Sequence, residues 1–377
     1  MRDIDTGISR RDWLVLSLAA SGGIAAQRVF GAHRVLGPDS SGGLVIHNPR
    51  ALDAEAPLSA LATPRTPVEH FFVRSHFGPP VQLPLAWTLT IDGLVSQPAT
   101  LSLDDIRALG PQSYTTTLEC AGNSRGIYAL PVTSGVQWAY GAVSTADWTG
   151  VPLGAVLARV GLRPSARYLW MEGQDHAPLP TVPKFLRSLP RDVALDGAYI
   201  AYEMNGRPIP LLHGGPVRLI MPGWFGMAST KWLTHIHAMP NESDNYFMRT
   251  GYRYADKRPV SVMQTKSIIV TPSADARVPP GRLTMRGQAW SGAGSGGIRG
   301  VDVSMDGGQT WSAGRLVGAE VPGAWRGWEA DVAVQRGDVV LMARATDRSG
   351  NVQPMQAVPN PGGFGNNSIH RVPIHVA

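Results

Sequence analysis

The sequence predicts an α+β domain followed by a small all-β sandwich. A chain of 377 residues exceeds what one ordinary core accommodates, so two domains are expected. From about Pro49 to Asp256 strand-like and helix-like runs are mixed, whereas after Lys257 only strand-length runs recur, separated by Gly- or Asp-rich turns. These changes place the two units at residues 45–256 and 257–377.

In the first unit "WTLTIDGLV" and "GPVRLIMPG" read as short strands bounded by Gly and Pro. "SLDDIRALG" has a Ser N-cap, early Asp residues and a terminal Gly, the marks of a short capped helix. "TGVPLGAVLARVG" is a second helix, with Pro152 near its first turn and Gly161 ending it. The connections are long, and long connections inside a compact domain usually line a site. In the second unit "GRLTMRGQAWSG", "IRGVDVSMDGGQTW", "DVVLMARATDRSGNVQP" and "SIHRVPIHVA" read as strands. Val301, Val303 and Met305 alternate with Asp302, Ser304 and Asp306, a period of two, and "DGG" then makes a tight turn. Such a domain serves packing or association more often than chemistry.

The apolar fraction is 43% and the charged fraction 16%, as in a well-packed globular protein rather than a disordered one. The net charge of +6 comes without a run of Lys or Arg, which speaks against nucleic-acid binding. "ISRRDWLVLSLAASGGIAA" puts Arg10 and Arg11 ahead of an apolar run too short and too interrupted to span a bilayer. It reads as a twin-arginine export signal over residues 1–32. The expectation is a periplasmic enzyme, exported folded with its cofactor, with no membrane span in the mature chain.

An oxidising compartment makes the one cysteine, Cys120 in "TTLECAGNSRG", conspicuous, because it has no internal disulfide partner. Ala121, Gly122 and Asn123 let the backbone approach a bulky group, and Arg125 nearby favours a thiolate. A buried inert thiol, a nucleophile and a metal ligand all remain open on these residues. Three further segments bear on the choice. "FFVRSHFGPP" places Arg74 and His76 among aromatics. "AYEMNGRPIPLLHGGPVRLIMPGWFGMASTKWL" gathers His213, Arg218, Ser229, Thr230 and Lys231, cations and hydroxyls suited to a phosphate. "NYFMRTGYRYADK" presents Tyr252 among arginines. Together they suggest a cationic pocket for an anionic cofactor, an anionic substrate, or both.

The chain resembles the sulfite oxidase family of molybdenum enzymes. The resemblance rests on "FFVRSH", "LECAGNSR", "GVQW" with "AVSTADWTGVPL", the long "AYEMNG" to "KWL" segment, and "VDVSMDGGQTW", in the family's order. It implies an α+β molybdopterin-binding domain followed by an immunoglobulin-like dimerisation domain, and hence a homodimer. Cys120 matches the thiolate that ligates molybdenum, Arg74 and Arg125 the cations of the oxyanion pocket, Tyr252 the active-site tyrosine, and Trp138 an aromatic of the pocket wall. The cofactor-holding set maps to Phe72, Val73, Arg74, Ser75, His76, Asp175, His213, Arg218, Ser229, Thr230 and Lys231.

By the same resemblance an oxo-molybdenum centre transfers an oxygen atom to sulfite. Side chains cannot take up two electrons, so the cofactor must. The chain has no "CxxCH" haem site, and one Cys cannot supply four thiolates to an iron–sulfur cluster. No haem and no iron–sulfur cluster are therefore expected, and electrons pass to a separate c-type cytochrome. Many sulfite-oxidising relatives carry a further arginine in the last loop, here "NPGGFGNNSIHRV", where the matching position is Gly362. Unless His370 or Arg371 compensates, the pocket has one cation fewer. That alternative points to the sulfane dehydrogenase subunit of the thiosulfate-oxidising complex, which works on carrier-bound sulfur.

Overall fold

The computed structural model describes residues 43–49, 52–81, 83, 86–128 and 133–377. The export segment read at residues 1–32 lies outside the described residues. Among them, no helix is long and apolar enough to cross a membrane.

The first domain is built on two five-stranded sheets. One contains Gln112–Glu119, Val143–Pro152, Tyr199–Met204 and Arg207–Pro208 in that order, with Arg218–Ile220 also paired to Tyr199–Met204. The other runs Ala99–Ser102, Thr88–Gly93, Leu233–Met239, Tyr168–Gly173, Leu186–Pro190. In it Leu233–Met239 lies parallel to Thr88–Gly93 and antiparallel to Tyr168–Gly173. Leu89, Ile91, Leu169, Met171 and Ile236 from the second sheet share one buried core with Val151, Ile200 and Leu219 from the first.

The helices are short. Leu103–Arg107 begins at Ser102, whose hydroxyl accepts from Asp105 N while the Asp105 carboxylate accepts from Ser102 N, a reciprocal capping box. Leu153–Ala158 follows Pro152, whose fixed φ suits a helix start, and Gly161 ends the segment at φ +66°. Its Leu153, Val156 and Leu157 face the core at helical spacing. The residues "TGVP" before it belong to the strand Val143–Pro152 instead, because that strand pairs on both sides.

The second domain is a sandwich of a four-stranded and a five-stranded sheet. The long pairs are Gly281–Trp290 with Arg326–Val334, and Gly337–Asp347 with Ile298–Ser304 and His370–Val376. Met285, Trp328, Val301, Val303, Leu341, Val372 and Ile374 fill the space between the sheets. Val301 and Val303 obey the expected alternation, but Met305 is 36% exposed. The strand ends at Ser304, where Asp306 turns the chain by accepting from the backbone N–H groups of Gln309 and Thr310.

The two domains interlock at the cysteine loop. Glu119, at the end of Gln112–Glu119, accepts from Lys266 Nζ at 3.3 Å, Asn123 Nδ2 at 3.0 Å and Trp290 Nε1 at 3.0 Å. Lys266 and Trp290 belong to the sandwich, and all these groups are buried.

Candidate active site

Cys120 is the first residue after the strand Gln112–Glu119, and its N–H donates to Ala142 O at 2.9 Å. The chain then turns: Asn123 N donates to Cys120 O at 2.9 Å, and Ser124 sits in the left-handed region at φ +66°. The Asn123 side chain braces the turn by accepting from Ala142 N and donating to Glu119. The thiol faces a cleft lined by Phe72, Arg74, Ser75, His76, Cys120, Asp175, His213, Arg218, Ser229, Lys231 and Tyr252, among others.

Most of the residues matched by resemblance therefore meet on one wall or another of this cleft. Val73 is buried and exchanges backbone hydrogen bonds with Ala54, so it shapes the segment rather than lining the space. Trp138, expected in the pocket wall, is wholly buried instead, in a cluster with Phe71, Phe72 and Trp148 behind the cysteine. Arg125 is likewise outside the lining. Its Nη1 donates to Val136 O and its Nε to Gly362 O, each at 3.0 Å, and its charge still acts on Cys120 and Tyr252. A Cβ on Gly122 or Gly135 would lie 2.6 or 2.7 Å from this guanidinium, so only glycine leaves it room.

Arg74 joins a relay that the sequence did not reveal. Its Nη1 donates to Asp53 Oδ1 at 3.1 Å, its Nη2 lies 3.2 Å from His76 Nδ1, and His76 Nε2 lies 3.0 Å from Tyr252 Oη. A guanidinium only donates, so Nδ1 accepts, and Nε2 carries the proton and donates to the phenol oxygen. Burial, with the charges of Arg74, Arg187 and Lys231, holds His76 well below its usual pKa, so the ring is neutral. Burial disfavours the Arg74 cation, but Asp53, Tyr252 and Cys120 together outweigh it and raise its pKa.

Cys120 departs from the expected electrostatics. Burial pushes its thiol up, and the nearby Arg74 and Arg125 only partly offset it. Without a metal the group is a thiol, and a bound metal ion would replace the proton.

Sequence reasoning also missed Arg187. It is 3% exposed, with its guanidinium 5.0 Å from the centre of the Tyr252 ring, and burial lowers its pKa to about 10. Phe364 stacks on the other side of the site, 5.3 Å from Tyr252, and 5.4 Å from the Arg125 guanidinium. Neither residue stands in a motif, and only the fold brings them together. Of the two residues considered as substitutes for an arginine at Gly362, Arg371 is exposed. His370 accepts from Ile269 N at 3.1 Å, and burial lowers its pKa to about 3. Neither compensates.

Two more buried cations line the cleft, and the Asp175 carboxyl acts on one of them, Lys231. Arg218 is buried and donates to His213 O at 2.6 Å and Ser229 O at 2.9 Å, and among the described residues no carboxylate pairs with it. Burial lowers it to about 9. Lys231 donates to Leu212 O at 3.1 Å, and burial with the Arg218 charge lowers it to about 7. Burial raises Asp175 to about 6, although Lys231 opposes this. Thr230, expected with its neighbours in the cofactor-holding set, does not line the cleft; its Oγ1 is buried and has no hydrogen-bond partner among the described residues. Buried cations whose hydrogen bonds go to carbonyls suit an anionic phosphate group. A soft sulfur donor in the same cleft suits molybdenum. The donor set thus fits a molybdopterin cofactor.

Comparison with known proteins agrees. The oxidoreductase molybdopterin binding domain family matches residues 76–247, and the Mo-co oxidoreductase dimerisation domain family matches residues 257–377. Sulfite oxidase of Gallus gallus is 35% identical, over 85% of this chain and 75% of its own length. The chain belongs to the sulfite oxidase family. It is a molybdenum oxidoreductase with a molybdopterin-binding domain and a β-rich dimerisation domain. Sulfite oxidase of Arabidopsis thaliana is 32% identical, over 87% of this chain and 93% of its own length. The crystal structure of the sulfane dehydrogenase SoxCD from Paracoccus pantotrophus has a TM-score of 0.78 at 28% identity, covering 92% of this chain and 95% of that one.

Proposed function

We propose that the protein oxidises sulfite to sulfate, with Cys120 as the molybdenum ligand and Arg74, Arg125 and Tyr252 around the reacting anion. The observation that carries this reading is a buried thiol, a phenol and the Arg74 guanidinium lining one cleft, with the Arg125 charge acting on them from just outside the lining. Sulfite gains one oxygen atom, two electrons leave, and the water consumed releases two protons. The bound cofactor supplies the oxygen-atom and two-electron chemistry that no side chain can.

The chain's own residues bind, orient and move protons. Arg74 and Arg125 attract the oxyanion. Asp53 and the Gly362 carbonyl fix these guanidinium groups, so little reorganisation is needed when substrate arrives. His76 holds the Tyr252 oxygen and leaves the phenol proton as a donor into the cleft. Burial raises the Tyr252 pKa despite Arg74 and Arg187, so the phenol remains protonated at neutral pH. Arg218, Lys231, His213 and Ser229 would hold the cofactor's phosphate end, and Phe72, Arg74, Ser75, His76 and Asp175 would line its pterin.

The rest of the reading concerns partners and place. Electrons pass singly to a separate c-type cytochrome. The sandwich pairs two copies as a homodimer, and the Arg10-Arg11 segment directs periplasmic export. A second reading, oxidation of carrier-bound sulfur as in a sulfane dehydrogenase, is favoured by one feature. The last loop offers the Gly362 carbonyl and Phe364 where a further arginine would serve free sulfite. Steady-state assay of the purified enzyme with sulfite and cytochrome c or ferricyanide decides. Fast saturable turnover supports sulfite as substrate, and turnover only with protein-bound sulfur overturns it in favour of the second reading.

A further inference from the structure

A second ligand set lies on the outer face of the sheet whose central strand is Leu233–Met239. His235 and His237 are two residues apart on that strand, so both side chains project from the same face. The register sets His237 beside Asp92 on the parallel neighbour and His235 beside Glu172 on the antiparallel one. His235 Nε2 lies 2.9 Å from Asp92 Oδ1, and His237 Nδ1 contacts the same oxygen. The three donor atoms all fall within 4.8 Å of one another. Their side chains are 33%, 34% and 36% exposed, so an ion could reach them from solvent.

We propose that Asp92, His235 and His237 form a binding site for one divalent transition-metal cation of the zinc class, distinct from the molybdenum centre. Two imidazole nitrogens and one carboxylate oxygen are the borderline donor set that such cations prefer, whereas magnesium and calcium favour oxygen alone. Tetrahedral zinc with bonds of about 2.0–2.1 Å separates its ligand atoms by about 3.3 Å. The observed donor atoms, within 4.8 Å of one another, bracket that spacing. Three protein ligands leave the fourth position to water.

The surroundings are arranged as outer supports. Glu172 Oε2 lies 3.9 Å from His235 Nδ1, the ring nitrogen turned away from Asp92. A carboxylate on the far side of a ligating imidazole orients the ring and raises its basicity. Lys184 Nζ in turn holds Glu172 at 2.7 Å. None of these residues lines the molybdenum cleft. Leu233–Met239 nonetheless begins two residues after Lys231, so an ion here would clamp the parallel strand pair that carries the cofactor-holding loop.

The test uses molybdenum-loaded enzyme freed of loose metal by a chelator. Zinc chloride is titrated by calorimetry and cobalt chloride by visible absorption. The expected result is one saturable site per chain, with cobalt absorption typical of a low-coordinate nitrogen–oxygen environment. Both signals should vanish in His235→Ala/His237→Ala, and Glu172→Gln should weaken binding about tenfold. Molybdenum content and oxidation rate should stay unchanged. Absence of saturable binding by the unmodified enzyme overturns the proposal, as a plain hydrogen-bonded cross-strand ladder would give. Unchanged stoichiometry and affinity in the double-histidine variant overturn it equally. Should that variant fail to fold, Asp92→Asn replaces it under the same criteria.

Discussion

Cys120 and Lys231 both line the cleft, and both are held away from their ordinary ionisation by burial. For Cys120 the consequence is that a metal, rather than the two arginines, must stabilise the thiolate. Cys120→Ser is nearly isosteric and leaves the Glu119–Asn123 bracing intact. It should keep the fold and the pterin, yet lower turnover at least about 100-fold, the scale of removing one preorganised group. Near-normal kcat in a molybdenum-replete Cys120→Ser enzyme would sink the ligand assignment. For Lys231 the consequence is pH dependence. Its pKa in the cofactor-free protein is about 7, so above pH 7 the amine is neutral and must take up a proton to meet an anion. Cofactor affinity should therefore fall as pH rises above 7, by up to about tenfold per pH unit, and this group contributes no slope below it. Lys231→Arg, whose guanidinium stays charged, should flatten the profile measured by cofactor reconstitution between pH 6.5 and 8.5.

Among the elements, the strand Gln112–Glu119 does most to position the site, and its end is fixed by a charge from the other domain. The Lys266–Glu119 pair is 2% and 4% exposed, and Lys266 also donates to Ser124 Oγ at 2.9 Å. Removing one member of a buried pair strands the other charge, so Lys266→Met should cost about 3–5 kcal/mol in chemical denaturation. Glu119→Gln/Lys266→Met should recover part of that loss, and equal losses in the single and double variants would show the pair to be inert. The elements themselves were legible because their signals are local. Period two marked the sandwich strands, Ser102 and Pro152 marked helix starts, and the Cys120 turn was written in small residues. The Asp53–Arg74 pair, Arg187 above Tyr252 and Phe364 beside it were not legible. They join segments far apart in the chain, and no spacing rule connects them. Resemblance also set Trp138 in the wall, although its ring lies in the core behind it.

At the scale of the molecule the sandwich contributes to the active site as well as to association. The loop before its last strand enters the first domain, where Gly365 N donates to Ala121 O at 2.8 Å and Asn366 Nδ2 to Ser124 O at 2.8 Å. Gly362 and Phe364 of that loop meet Arg125, and Phe364 also stacks on Tyr252. On the proposed reading the second domain takes part in substrate choice, and restoring an arginine at the matching position tests this. Its φ is not in the left-handed region, so backbone strain does not forbid a side chain there. The obstacle is Phe364, whose ring would lie 2.1 Å from a Cβ on residue 362. Gly362→Arg alone should therefore displace Phe364 and disturb Tyr252, lowering kcat without a useful gain in affinity. Gly362→Arg/Phe364→Ala makes room for the guanidinium. A new charge-assisted hydrogen bond of about 1.5–3 kcal/mol corresponds to a KM for sulfite roughly 10–150-fold lower. If KM in the double variant matches that of Phe364→Ala alone, residue 362 does not face the anion, and the last loop controls access rather than charge.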